Sequence, residues 1–394
     1  DLHAVAARSL VVESAQTAGT ARIWVDGRRV SPTDAAFING VAAHARLQDD
    51  TDHDSWAHPG SLVVPAVAAC CEVGDKGLTQ TLRAIMAGYA TLQWLATGEE
   101  VSRRLISRGI RTSASLGAIA AAAGCAVAMG LDAEVARSAV GIAASTTGGT
   151  LEPVRCGSDE WRIQNGRSAQ GGYIAARLAE QGFFGAPLAL EGPKAFLKAF
   201  ADMDKAPAGW SLDPDPEIMH KIMAKPFSVA GDNMVSACAA MMARIHVGDW
   251  TRVRSIDVSL WRPYTEYPGT NFKGPYETPV QAQISTCFAV GAMLALGRLD
   301  YDSVVNERGN RLVNELIAKT VITPHDGHQL ESTVTITLDD GTVISGDAAD
   351  AQQTLIFQDP ARAIEVFEER LSGAGHPAGE GEKLARRILT AARS

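Results

Sequence analysis

From Leu2 to Ala201 apolar positions recur with a helical period, interrupted by Gly, Pro and Asp at intervals typical of helix ends. The pattern predicts helices over about 2–18, 32–46, 62–73, 78–97, 100–108, 112–129, 132–145, 166–181 and 192–201. Ser31 ahead of Pro32 and Asp132 ahead of Ala133 supply the expected N-caps. The Ala-rich pair spanning 112–145 is small-sided on every face, which places both helices in the interior of an all-α core. After Gly209 the period changes. Val253–Leu260 and Ser332–Leu338 alternate with period two, and Asp340-Gly341 marks a tight turn into Thr342–Asp347. Helices are expected at Pro279–Leu296 and Glu307–Thr320 between these strands, so a second, α+β domain follows the first. Helical spacing returns at Ala361–Leu371 and Gly381–Ala392, separated by a Gly/Pro-rich loop; this tail is free to pack on either domain.

The chain has 394 residues, 46% of them hydrophobic and 21% charged, enough apolar mass for one large or two ordinary cores and too much for disorder. The formal charge of −9 argues against nucleic acid and anionic membranes as partners, so an anionic ligand needs a local cationic pocket. The six cysteines are scattered without a C-x-x-C pair, which reads as reduced thiols in a cytoplasmic protein. Leu116–Leu131 is shorter than the ~20 residues of a membrane crossing and reads as a buried helix. The opening residues DLHAVAARSL lack the charged and apolar regions of a secretory signal, and a segment before them is not excluded. Dinucleotide, P-loop, serine-hydrolase and zinc-protease motifs are missing.

Polar chemistry concentrates in DDTDHDSWAHPG, residues 49–60, between two apolar helices. Asp50, Asp52 and Asp54 begin a calcium loop, but Ser55 and Ser61 occupy the positions that need Gly and a bidentate Glu. His53 and His58 are five apart, off the spacing that places two zinc ligands on one helix face. A solvated acidic loop is the alternative to an active-site segment. Arg104, Arg108 and Arg111 share a face if their helix continues past Gly109, either as a water-facing stripe or as an anion clamp. Lys225 sits among apolar neighbours before Pro226, either exposed at a joint or desolvated into the range of a general base. Tyr89 and His44 lie on apolar helix faces and read first as core residues.

SPTDAAFINGVAAH, DDTDHDSWAHPGSLVVPAVAA, LRAIMAGYA, SRGIRTSASLGAIAAAAGCAVAMGLD and NGRSAQGGYIAARLAEQGFFGAP resemble, in order, the MmgE/PrpD family. KPF near 225, VQAQISTCFAVGAML near 280 and LDDGT near 339 extend the likeness over nearly the whole chain. The resemblance implies a helical domain of residues 1–205 and 361–394, an inserted α+β domain of residues 206–360, and a homodimer. It also implies catalysis on small polycarboxylates without a metal or organic cofactor, in a cleft between the domains. Asp49, Asp50, Thr51 and His58 match the family's acidic-Thr and His-Pro-Gly motifs, and Lys225 its second-domain lysine.

Four positions depart from the family pattern: Leu47 for an Asp, Arg111 for a His, Ala230 for a His, and Trp161 or Arg162 for a Lys. Guanidinium groups stay protonated, so Arg111 and Arg162 are candidates for carboxylate binding rather than base catalysis. His58 and Lys225 are then the expected proton-transfer pair, with Tyr89 beside them. The expected reaction is that of a dehydratase-like lyase acting next to a carboxylate. An epimerase or a diverged biosynthetic enzyme using the same cleft is the alternative, and a dimeric binding or scaffold protein with reduced catalysis is the alternative of another class.

Overall fold

The computed structural model describes residues 19–351 and 360–392. The helix expected over 2–18 lies outside the described residues. Two short strands, β1 (Ala21–Arg22) and β2 (Arg29–Val30), lead into α1 (Pro32–His44), which Ser31 caps by accepting from the Asp34 N–H. The helical part continues through α2 (Pro59–Val73), α3 (Leu78–Ala96), α4 (Glu100–Ser107), α5 (Thr112–Met129), α6 (Ala133–Thr146), α7 (Glu152–Cys156) and α8 (Trp161–Glu180). α8 begins about a turn earlier than its sequence period indicates, and a single π-helical turn, Leu197–Ala201, replaces the expected helix over 192–201.

α5 is 18 residues long and apolar enough to cross a membrane by length and composition, although its sequence suggested a shorter run. Most of its side chains are buried, packed against α2, α3, α6 and α8, while Val127 is exposed. Gly117 and Gly124 of α5 permit this closeness, because a Cβ at either would press into Leu62 or Val67 of α2. α6 differs from the expectation: Asp132, Ala133, Glu134 and Arg137 face water, so only one side of this Ala-rich helix is interior.

Beyond residue 222 lie α9 (Met234–Arg244), β5 (Val253–Trp261), α10 (Arg262–Thr265), α11 (Pro279–Gln283), α12 (Thr286–Leu296), α13 (Tyr301–Asn306) and α14 (Arg311–Lys319). β6 (Thr320–His325), β7 (Ser332–Leu338) and β8 (Val343–Asp347) then complete a four-stranded sheet ordered β6-β5-β7-β8. β5 is parallel to β6 and antiparallel to β7, and β7 is antiparallel to β8. Every second side chain of β7 is buried, on the face covered by α9. The helix expected over 279–296 is broken at Ile284 and restarted by Ser285, whose hydroxyl accepts from the Phe288 N–H.

One buried apolar cluster draws on residues between Ala21 and Ile222, a second on residues between Met223 and Ala348. A smaller third cluster, including Leu47, Trp161, Ala230 and Val280, draws on both stretches of the chain. A two-residue antiparallel pairing also joins the halves: β3 (Asp50–Thr51) against β4 (Met223–Ala224). The chain ends in α15 (Pro360–Gly373) and α16 (Glu380–Ala392). α16 packs on α3, while Arg370 of α15 donates to the Lys225 carbonyl at 2.7 Å, so the tail touches both halves.

Candidate active site

The register of β3 and β4 builds the site. Asp50 pairs with Ala224 and Thr51 with Met223, which carries Asp49 opposite Lys225 although 176 positions separate them. Lys225 Nζ lies 3.5 Å from Asp49 Oδ1 and 3.4 Å from the Val229 carbonyl. His58, at the N-terminal end of α2, places Nδ1 3.7 Å from the same Asp49 oxygen. His44, in the last turn of α1, places Nδ1 2.8 Å from Asp49 Oδ2. Leu47 and Trp56, flanking this segment, both hold φ near +52°, a costly conformation for non-glycine residues that the packed surroundings impose.

Hydrogen-bond chemistry fixes both imidazole tautomers. His58 Nδ1 is 3.0 Å from the Asp50 carbonyl, which only accepts, so Nδ1 carries the proton and Nε2 offers a lone pair. Arg111 Nη2 is 2.7 Å from His44 Nε2, and a guanidinium only donates, so His44 carries its proton on Nδ1 and gives it to Asp49. Burial pushes the His44 pKa down to about 4, against the attraction of Asp49. Burial likewise lowers His58 well below the usual histidine range, so both rings are neutral at pH 7. Burial also lowers Lys225, opposed by Asp49. Burial would raise the Asp49 carboxyl, but His44, His58 and Lys225 outweigh it and hold the group far below its ordinary value.

Asp50 sits differently. It accepts from Tyr89 OH at 2.6 Å and from the Gly60 N–H at 2.7 Å, yet burial raises its pKa to about 7. Gly60 is required there, because a Cβ would stand 2.6 Å from Asp50 Oδ1. Asp52 is raised to about 6 by burial and accepts from Gln93 Nε2 at 2.7 Å and the Ser55 N–H at 3.1 Å. It caps its own loop, so the acidic segment is folded inward and is neither a solvated loop nor a calcium cradle.

A cavity of about 50 Å³ opens beside His58, walled by Thr51, His53, Asp232, Tyr264 and Tyr267. His53 Nδ1 is in a short hydrogen bond with Tyr264 OH, and Asp232, hydrogen-bonded to Thr270, is raised by burial to about 7. Ala230 and Gly231 complete the wall where an imidazole is expected from the family pattern.

The expected residues Asp49, Asp50, Thr51, His58, Tyr89 and Lys225 therefore converge. Arg111 adjoins them, but its guanidinium is buried behind His44 and donates to the Trp161 carbonyl at 2.5 Å and to Gln164 Oε1 at 3.1 Å. Arg162 lies across the Trp161 ring and lines a separate cavity of about 770 Å³ with Arg46, Gln48 and Arg370. The arginine stripe does not form: α4 stops at Ser107, Gly109 takes φ +73°, and Arg111 caps the next helix. His44, read first as a core residue, touches Asp49 directly. Its position before an acidic pair was the available signal. The places of His53 and Tyr264 were not legible in the sequence, since their contact crosses 211 positions, and Asp232 carried no motif to mark it.

His44, Asp49 and His58 present donor atoms within 4.8 Å of one another, a spacing that admits a metal ion. The residues do not fit one. Both Nδ1 atoms carry protons in the bonds described, and Lys225 and Arg111 bring positive charge to the same carboxylate and ring.

The site is thus a buried carboxylate holding two imidazoles and an ammonium within a largely helical chain. Residues 2–208 match the MmgE/PrpD N-terminal domain, and the chain belongs to the MmgE/PrpD family. A cis-aconitate decarboxylase-like protein of Aspergillus oryzae is 27% identical over 304 residues, 70% of this chain and 61% of that one. The cis-aconitate decarboxylase of Mus musculus is 26% identical over 362 residues, 85% of this chain and 70% of that protein. The cis-aconitate decarboxylase of Aspergillus terreus is 28% identical over 171 residues, 42% of this chain and 34% of its own length. The matched region thus spans under two thirds of each fungal relative.

Proposed function

We propose that the chain is a lyase of small di- or tricarboxylates that works without a metal or organic cofactor, its two buried clusters forming two domains with the reaction between them. The observation that carries this reading is the shared carboxylate: Asp49 holds Lys225 and His58 within about 7 Å of each other. His58 Nε2, with its lone pair, is the base for a proton on carbon next to a carboxylate. Lys225 is the acid. In a dehydration, the C–H pair becomes the new double bond while the leaving hydroxide takes the lysine proton. In a decarboxylation, the C–C pair stays on carbon as CO₂ departs, and that carbon takes the proton. The departures at Arg111 and Ala230 leave fewer titrating groups, which concentrates both roles on this pair.

A 50 Å³ cavity is far below the ~300 Å³ at which ligand sites begin, so a polycarboxylate enters only if the cavity widens. The test is direct product analysis. Incubation with cis-aconitate, and with hydroxy- and amino-polycarboxylates, is followed by proton NMR. Release of CO₂ or water supports the lyase; α-carbon exchange with inversion and no net loss identifies an epimerase; tight binding without either marks a scaffold and refutes the enzyme.

A further inference from the structure

Arg111 occupies a position where a carboxylate clamp is expected, yet its hydrogen bonds all go to the protein. Nη1 donates to the Trp161 carbonyl and to Gln164, and Nη2 to His44 Nε2 at 2.7 Å. The residue is 5% exposed and, like Asp49 and Lys225, does not line the small cavity beside His58. On the far side of the same imidazole, Nδ1 meets Asp49 Oδ2 at 2.8 Å. Trp161 fixes the ring from its edge, with centroids 4.6 Å apart. A histidine so placed has no freedom of tautomer: the nitrogen facing a guanidinium must accept, so the other must donate. Asp49 Oδ2 is thereby occupied. Its Oδ1, buried and without a hydrogen bond among the described residues, is left to face Lys225 and His58.

We propose that Arg111 and His44 are positioning residues: the guanidinium holds His44 in its Nδ1–H form, and His44 in turn fixes Asp49 so that one oxygen is reserved for the Lys225–His58 pair. The arginine then supplies no substrate contact. This reading rests on the lyase assignment only in its kinetic arm, so a first test uses no substrate. Nitrogen-15 NMR of the full chain, labelled at its nine histidines, reads the two ring nitrogens of His44, assigned by the signal lost in His44→Gln. At pH 7 the wild type is expected to show a protonated Nδ1 and an unprotonated Nε2, the minor tautomer of a free histidine side chain. Arg111→Lys keeps that pattern and Arg111→Met loses it.

A wild-type His44 protonated on Nε2 would overturn the proposal even if no variant folds, and so would an unchanged tautomer in a folded Arg111→Met. In the kinetic arm, Arg111→Met is expected to lower kcat at least tenfold with KM within threefold, and Arg111→Lys to recover most of the loss. A tenfold rise in KM with kcat intact would instead assign Arg111 to the substrate and defeat the proposal. Its acid limb in kcat/KM also moves to higher pH, because removing one positive charge lets His44 and His58 protonate more readily. The other charges facing those rings, Asp49 and Lys225, stay in place. Should no acid be turned over, the lyase reading fails while the NMR result still decides the relay.

Discussion

Replacing Asp49 by Asn removes the one charge that Lys225, His58 and His44 share, while keeping the side-chain volume. At 3.5 Å and an effective dielectric of about 20, the Asp49–Lys225 attraction is worth about 5 kcal/mol. Both side chains are almost wholly buried, so solvent screens little of it. A buried ammonium stripped of its counter-charge releases its proton rather than remaining charged. Lys225, already lowered by burial, is lowered further, so less of it carries the proton an acid must supply. If that interaction supports the transition state, its loss corresponds to a fall of roughly 10³-fold in kcat/KM. The alkaline limb of the pH profile moves to lower pH, since the lysine holds its proton less firmly. The assay is kcat/KM from pH 5 to 9 on whichever acid the product analysis identifies, with circular dichroism to confirm folding. A profile that does not shift, with kcat/KM within threefold of wild type, would refute the claim that Asp49 organises the site.

Other outcomes follow from neighbouring groups. Tyr89→Phe deletes the 2.6 Å bond to Asp50, so the Asp50 pKa rises further above about 7 and stability falls by about 1–3 kcal/mol in urea titration. Gly60→Ala forces a Cβ against Asp50 Oδ1 and costs about 1–3 kcal/mol, read as a lower denaturation midpoint. Asp232→Asn has an effect whose size depends on pH. The wild-type carboxyl, raised to about 7, keeps its proton after the unfolded chain has ionised near 3.8, so its penalty grows from pH 4 to 7 and is constant above. The variant should therefore melt at a higher temperature than wild type at pH 8 and at the same temperature below pH 4, checked by thermal scans at both.

Sequence periodicity found most of the helices, because an amphipathic or small-sided stripe survives without its partner. It missed β6, whose Pro324 and mostly exposed side chains break the alternation; the strand lies at a sheet edge, where proline is tolerated. It missed β3 and β4 because two-residue strands carry no period. Their pairing nonetheless decides the site, since it sets Asp49 against Lys225. Asp49, Asp50, Thr51, His58 and Lys225 were legible as motif residues. The roles of Arg111 and His44 were not, because a guanidinium that faces a neighbouring imidazole and one that faces a substrate look alike in one dimension. Nor was the inward turn of Asp52 and His53, which depends on Gln93 and Tyr264 arriving from distant elements.

The central claim is that the proton transfers of one turnover fall to His58 and Lys225. Turnover in deuterated water, with label at the reacting carbon quantified by NMR for wild type, His58→Ala and Lys225→Ala, measures it most directly. With the wild type the account predicts deuterium on that carbon in the product of a decarboxylation, or in recovered substrate of a dehydration, and none with either folded variant. Wild-type label in both variants would contradict it.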